Sequence, residues 1–363
     1  MRNLRLACLS LTLLAACTTP YKPPVAVEEP GGQPARAFDG IAASLSSERK
    51  TRVFWTHGMC SHDDAWVLAT NQAFATALNA AIPPRLAAKS SDDDELVRRF
   101  NFVTPRGELE VAYFVWSSLT RQQKETLQFD SSSPFKRATL NGDLKVGLIN
   151  DCFADAILYA SSQGDAVRHA AVRAVCTALG GRRGATSACE LAPGAASEPV
   201  IFVTESLGSK VVMDALGTIW NEHRSRGAGP AFRRRAAAVR TVFMLANQLP
   251  LMNLAAPGAS LRDVLATLGE LPGGEARTLV AFSDPNDLLS YRLHAADVGV
   301  PGTRLLNIAV SNDPTYFGYV ERPDNAHCGY NWNPHVLGML LLGYDPARPL
   351  HSIASSAKQS CLK

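Results

Sequence analysis

The sequence predicts an α/β protein: a mostly parallel sheet flanked by helices, with a helical insertion before the third of its six main strand-length runs. Three observations carry this expectation. Apolar runs of strand length recur, each bounded by turn residues. Helix-like segments lie between most of them. One interval, at about 118–198, is too long for a bare loop and has helical spacing of its own. In order, the runs are RVFWTH (52–57), LEVAYFVW (109–116), PVIFVT (199–204), VRTVFML (239–245), ARTLVAF (276–282) and TRLLNIAV (303–310). Continuous rather than alternating apolar runs suit strands covered on both faces, and intervening helices suit parallel crossovers.

The long interval contains DLKVGLINDCFADAILYASSQGDAVRHAAVRAVCTAL, whose apolar residues recur at helical spacing. Such an insertion can cap a site or supply peripheral crossover helices, and the sequence leaves both open. HRSRGAGPAFRRRAAAVR, at 223–240, reads as the solvated face of a helix before the fourth run rather than a surface for anionic headgroups. No internal repeat is present.

A chain of 363 residues, 46% hydrophobic and 19% charged, can bury a sizeable core. Without Arg2 and Arg5, which lie in the leader described next, 34 basic side chains face 33 acidic ones. This near-neutral balance gives no case for nucleic acid as a partner.

The N-terminus, MRNLRLACLSLTLLAACTTP, has two arginines, a short apolar run and then small residues, the pattern of an export signal over 1–16. The apolar run is too short to span a bilayer. Leu14-Ala15-Ala16-Cys17 resembles the lipobox of bacterial lipoproteins. That resemblance implies cleavage before Cys17, lipidation of Cys17 and, with Thr18 rather than Asp next, retention at the outer membrane. Residues 17–44, rich in Pro, Gly, Ala and Glu, read as a tether to a domain over 45–363. Six cysteines lie beyond the tether: Cys60, Cys152, Cys176, Cys189, Cys328 and Cys361. An exported compartment permits disulfides, but the sequence does not choose the pairing. No zinc-like spacing occurs, so neither a metal nor a cofactor is expected.

In PVIFVTESLGSKVVMDAL, a buried strand runs into a helix through Thr204-Glu205-Ser206-Leu207-Gly208. This follows Gly-x-Ser-x-Gly with Thr in place of the first Gly. A sharp strand-to-helix turn of this kind presents Ser Oγ beyond the sheet, with backbone N–H groups facing developing negative charge. Here the chain resembles the α/β-hydrolase superfamily, and more loosely its bacterial lipases and esterases, over roughly residues 50–345. The resemblance implies Ser206 as nucleophile. It also implies an oxyanion hole from the N–H groups of Leu207 and of Met59, which follows the strand ending in His57-Gly58. His57 precedes the serine and is expected to shape that loop, since the superfamily's base comes last.

LVAFSDPNDLLSY supplies two candidates for the acid, Asp287 and Asp284. Asp287 fits the superfamily's acid better, whereas Asp284 before Pro285 suits a turn. For the base, DNAHCGYNWNPHVLGMLLLGY offers His327 in a loop and His335 at a helix start, and His327 is favoured. Trp55, Trp116 and Tyr330 are candidates to line an acyl pocket, with core packing expected for the two tryptophans. The combined expectation is a membrane-anchored serine hydrolase cleaving carboxylic esters. The alternatives are a thioesterase or acyltransferase using the same residues, or an inactive envelope-binding module.

Overall fold

The structure, a computed structural model, describes residues 18–19, 25–33, 35–80, 85–86, 95–131, 134–135, 137–183, 188–191, 194, 198–255 and 260–353. The expected export signal over 1–16 and the expected lipidation site, Cys17, lie outside the described residues.

The strands are β1 (Thr18–Thr19), β2 (Val25–Glu28), β3 (Thr51–Thr56), β4 (Arg85–Leu86), β5 (Val97–Thr104), β6 (Gly107–Phe114), β7 (Gly181–Arg183), β8 (Cys189–Leu191), β9 (Val200–Glu205), β10 (Val239–Leu245), β11 (Arg277–Ser283), β12 (Thr303–Val310) and β13 (Thr315–Tyr316). Nine of them form one sheet in the order β2-β12-β11-β10-β9-β3-β6-β5-β4. The six from β12 to β6 are parallel, and β2, β5 and β4 add antiparallel edges. All six sequence runs fall on these parallel strands, within two residues of the expected bounds.

The apolar runs are continuous because both faces of the sheet are covered. In β3, Val53 and Trp55 face a core with the helix α1 (Asp64–Ala77), while Phe54 faces the opposite core with Phe202 and Phe114. The second core also takes α3 (Asp165–Ala178), through Ala170, Ala171, Ala174 and Val175, and α4 (Gly208–Ser225). Asp63 caps α1 by accepting from the N–H groups of Ala65 and Trp66.

One expectation changes, and the insertion takes a mixed form. The region 17–44 is not a tether throughout: β2 extends the sheet through Val25↔Val310 to Glu28↔Asn307, and Phe38 bridges to Tyr344. Its prolines and glycines mask a four-residue edge strand. The long insertion divides in two. Its second half is the crossover helix α3, packed on the sheet, followed by the β7-β8 hairpin. Its first half includes a π-helical stretch, Leu144–Phe153, that runs into α2 (Ala154–Ala160) and is fastened to the loop after β3. Disulfides join Cys60 to Cys152 and Cys176 to Cys189.

The chain goes from β3 to β6 on one side, then returns past β3 to β9 and continues outward to β12. The carboxyl ends of β3 and β9 therefore flank a topological switch point, where open α/β sheets bind ligands.

Candidate active site

At that switch point Glu205 ends β9, Ser206 follows at φ 51°, and Leu207 begins the turn into α4. A positive φ is costly for a serine and persists only where the surroundings enforce it. Here the Ser206 N–H donates to Leu245 O at 2.7 Å, locking the turn to β10. Thr204, which stands where the motif has Gly, is fully buried, with its hydroxyl 2.8 Å from Ser209 Oγ and 3.2 Å from Phe243 O. The methyl-bearing side chain is accommodated because its hydroxyl is paired. The glycines on either side of the turn are needed. A Cβ on Gly208 would lie 2.7 Å from His57 O, and one on Gly58 would lie 2.5 Å from Ser206 Cβ.

Ser206 Oγ is 3.0 Å from His327 Nε2, and His327 Nδ1 is 2.9 and 3.0 Å from the two oxygens of Asp287. A carboxylate on Nδ1 places the proton there and leaves Nε2 free to accept from serine. All three side chains are buried. Burial alone would raise the Asp287 carboxyl, but His327, with help from the Leu289 N–H and the Tyr330 hydroxyl, holds it below the usual carboxylate range. His327 was expected in a loop. It lies instead in the last turn of α5 (Pro323–Cys328), which starts at Pro323.

The competing candidates lie elsewhere. Asp284 accepts the N–H groups of Asn286 at 2.9 Å and Asn312 at 2.7 Å, and burial raises its carboxyl. Asn312 in turn donates to Ala326 O at 2.7 Å, so Asp284 braces the helix that carries His327. His335 sits in the first turn of α6 (Pro334–Leu342), and its N–H is capped by Asn333. Tyr330, expected at an acyl pocket, does line the same cavity, but its hydroxyl donates to Asp287 at 3.0 Å while accepting the Asp284 N–H at 2.6 Å.

The cavity over Ser206 is lined by Gly58, Met59, Leu245 and Trp332 among others. The N–H groups of Met59 and Leu207 take part in no hydrogen bond among the described residues. His57 sets the geometry of the first. Its Nδ1–H donates to Gly58 O at 2.8 Å, and its Nε2 accepts the Trp116 N–H at 3.0 Å. A trans peptide points its N–H opposite to its C=O, so fixing Gly58 O fixes the direction of the Met59 N–H. Complete burial, with the nearby His62 adding to it, drives the His57 pKa well down and keeps the ring neutral.

Beyond Met59 the loop is clamped to the insertion. Asp155 accepts the Cys60 N–H at 2.9 Å, Asp151 accepts the Ser61 N–H at 2.9 Å, and Lys124 bridges Asp151 at 2.7 Å and Asp155 at 3.1 Å. The Cys60–Cys152 disulfide closes a 92-residue separation. A loop of that size removes on the order of 4–5 kcal/mol of unfolded-chain entropy.

Sequence reasoning missed Glu205. It is buried beside Ser206, where Trp55 Nε1 donates to one oxygen and Asn331 Nδ2 donates to the other at 2.8 Å. Burial raises its pKa to about 7, against those hydrogen bonds and the opposing charge of His327. With a folded pKa above the unfolded 4.5, Glu205 takes up a proton on folding between those values, so stability falls as pH rises through that window. Glu205→Gln is expected to lessen that fall by up to about 3 kcal/mol, read as a flatter melting temperature between pH 5 and 7. Glu321, also raised to about 7, keeps some slope. An unchanged profile in the variant would assign the whole slope to other groups.

Among the described residues no cluster of His, Cys, Asp and Glu could hold a metal ion, and no helix is long and apolar enough to cross a membrane. No family model, curated protein or solved structure matches this chain.

Proposed function

We propose that the chain is a serine hydrolase of carboxylic esters, exported as a lipoprotein and held through Cys17 in the bacterial outer membrane. The observation that carries the catalytic reading is the continuous relay from Ser206 Oγ through His327 to Asp287, beside two undonated backbone N–H groups. The acidic and basic groups it needs are buried together and pointed at one another.

In this mechanism His327 Nε2 accepts the Ser206 proton as Oγ attacks the ester carbonyl carbon. Asp287 holds the imidazole and stabilises its charged form. The Met59 and Leu207 N–H groups receive the oxyanion. His327 then protonates the departing alcohol, leaving Ser206 acylated. A water that gives its proton to His327 hydrolyses that acyl-enzyme, releasing the carboxylic acid and restoring the serine. A thioester or an acyl acceptor other than water would use the same parts.

A fluorophosphonate probe tests the reading directly. Ser206 Oγ should attack phosphorus and displace fluoride, leaving a stable adduct that mass spectrometry maps to the peptide containing Ser206. No adduct on the folded protein, or an adduct elsewhere, would favour an inactive binding module.

A further inference from the structure

We infer that the carboxyl-end face of the sheet, which carries Ser206, rests against the phospholipid bilayer that holds the anchor, with the tip at 316–320 as its contact. This rests on the reading of Cys17 as lipidated and adds a direction to it. Two separate pairings set that direction. Val25 of β2 pairs with Val310, the last residue of β12, so the chain enters the sheet at its carboxyl edge. Thr18, bonded directly to Cys17, pairs with Tyr316 of β13. The acyl chains on Cys17 and the Ser206 cavity therefore share one side of the molecule.

That side also exposes large apolar side chains. The short helix after β10, Leu249–Ala255, exposes Leu254, and the loops leaving β11 and β12 expose Leu288, Phe317, Tyr319 and Val320, with Tyr319 at 93% and Leu254 at 83% exposure. The tip is a tight turn: Tyr316 bridges to Val320, the Tyr319 N–H donates to Tyr316 O at 2.9 Å, and Phe317 is held at φ 51°. A turn that places a bulky aromatic in the left-handed region and leaves it in solvent has no folding reason on its own. Beside a lipid anchor it has one, since aromatic and aliphatic side chains on a rigid tip enter the headgroup layer and add to what the acyl chains supply. Ester substrates then reach Ser206 from the membrane itself.

The full-length lipoprotein, reconstituted in phosphatidylcholine vesicles, tests this. Tyr319→Cys and, at the far end of α4, Ser225→Cys each supply a thiol for an environment-sensitive nitrobenzoxadiazole label. The cysteines among the described residues, 60, 152, 176, 189 and 328, are all in disulfides. The label at 319 should brighten several-fold, shift to the blue and be quenched by brominated acyl chains, while the label at 225 stays as in water. A water-like label at 319, or an equal response at 225, overturns the orientation when intact mass shows acylated Cys17. An unacylated Cys17 overturns the anchor reading and this inference with it.

Discussion

Ser206→Ala should abolish both ester hydrolysis and phosphonate labelling, and His327→Ala should lower hydrolysis by ~10⁴-fold or more. The double variant should be scarcely worse than either single one. The reason is geometric: Ser206 Oγ has one base, 3.0 Å away, and without it the hydroxyl is an ordinary alcohol, while a base without a nucleophile activates nothing. What remains in each case is the oxyanion hole and substrate binding. The measurement is p-nitrophenyl ester turnover by purified variants whose fold is checked by circular dichroism. Additive losses in the double variant would mean that the two residues act separately. Normal hydrolysis by folded Ser206→Ala would end the nucleophile assignment.

Asp287→Asn should cost about 10⁴-fold, and Asp284→Asn less than about tenfold. The asparagine at 287 keeps the shape but offers an amide to His327 Nδ1, which favours the tautomer with its proton on Nε2, where the serine proton must go. It also leaves the Tyr330 hydroxyl facing a changed partner. Asp284 does different work: it accepts two backbone N–H groups and never touches the imidazole. Its replacement should show as a lower melting temperature more than a lower turnover. Equal losses in turnover for the two variants would place Asp284 in the relay.

The parallel strands were legible because each lies between two cores, so its sequence is apolar without interruption. The edges were not. β5 carries Arg98, Arg99 and Asn101 at half-buried positions on both faces, and its alternation is too weak to stand out beside the central runs. β2 is four residues among prolines. Within the site, Ser206 was legible because strand, turn and helix are consecutive in sequence, and Asp287 and His327 because each follows a strand. Glu205 with Trp55, Asp155 with Cys60, and Tyr330 with Asp287 were not, since these contacts join residues 150, 95 and 43 positions apart. Thr204 looked like a defect in the motif. Only the positions of Ser209 and Phe243 reveal how its hydroxyl is satisfied.

The bond from the Ser206 N–H to Leu245 O also decides how the site can move. It extends the ladder between β9 and β10, two central strands, one residue past the end of β9, and places the turn in the part of a fold that opens only when the whole molecule does. Motion on the microsecond-to-millisecond scale that opens the cavity then falls to the stretch from 311 to the helix bearing His327, rather than to the serine or to the loop beyond Met59, which the Cys60–Cys152 disulfide, Asp151 and Asp155 hold. The serine is the fixed point against which that stretch opens and closes.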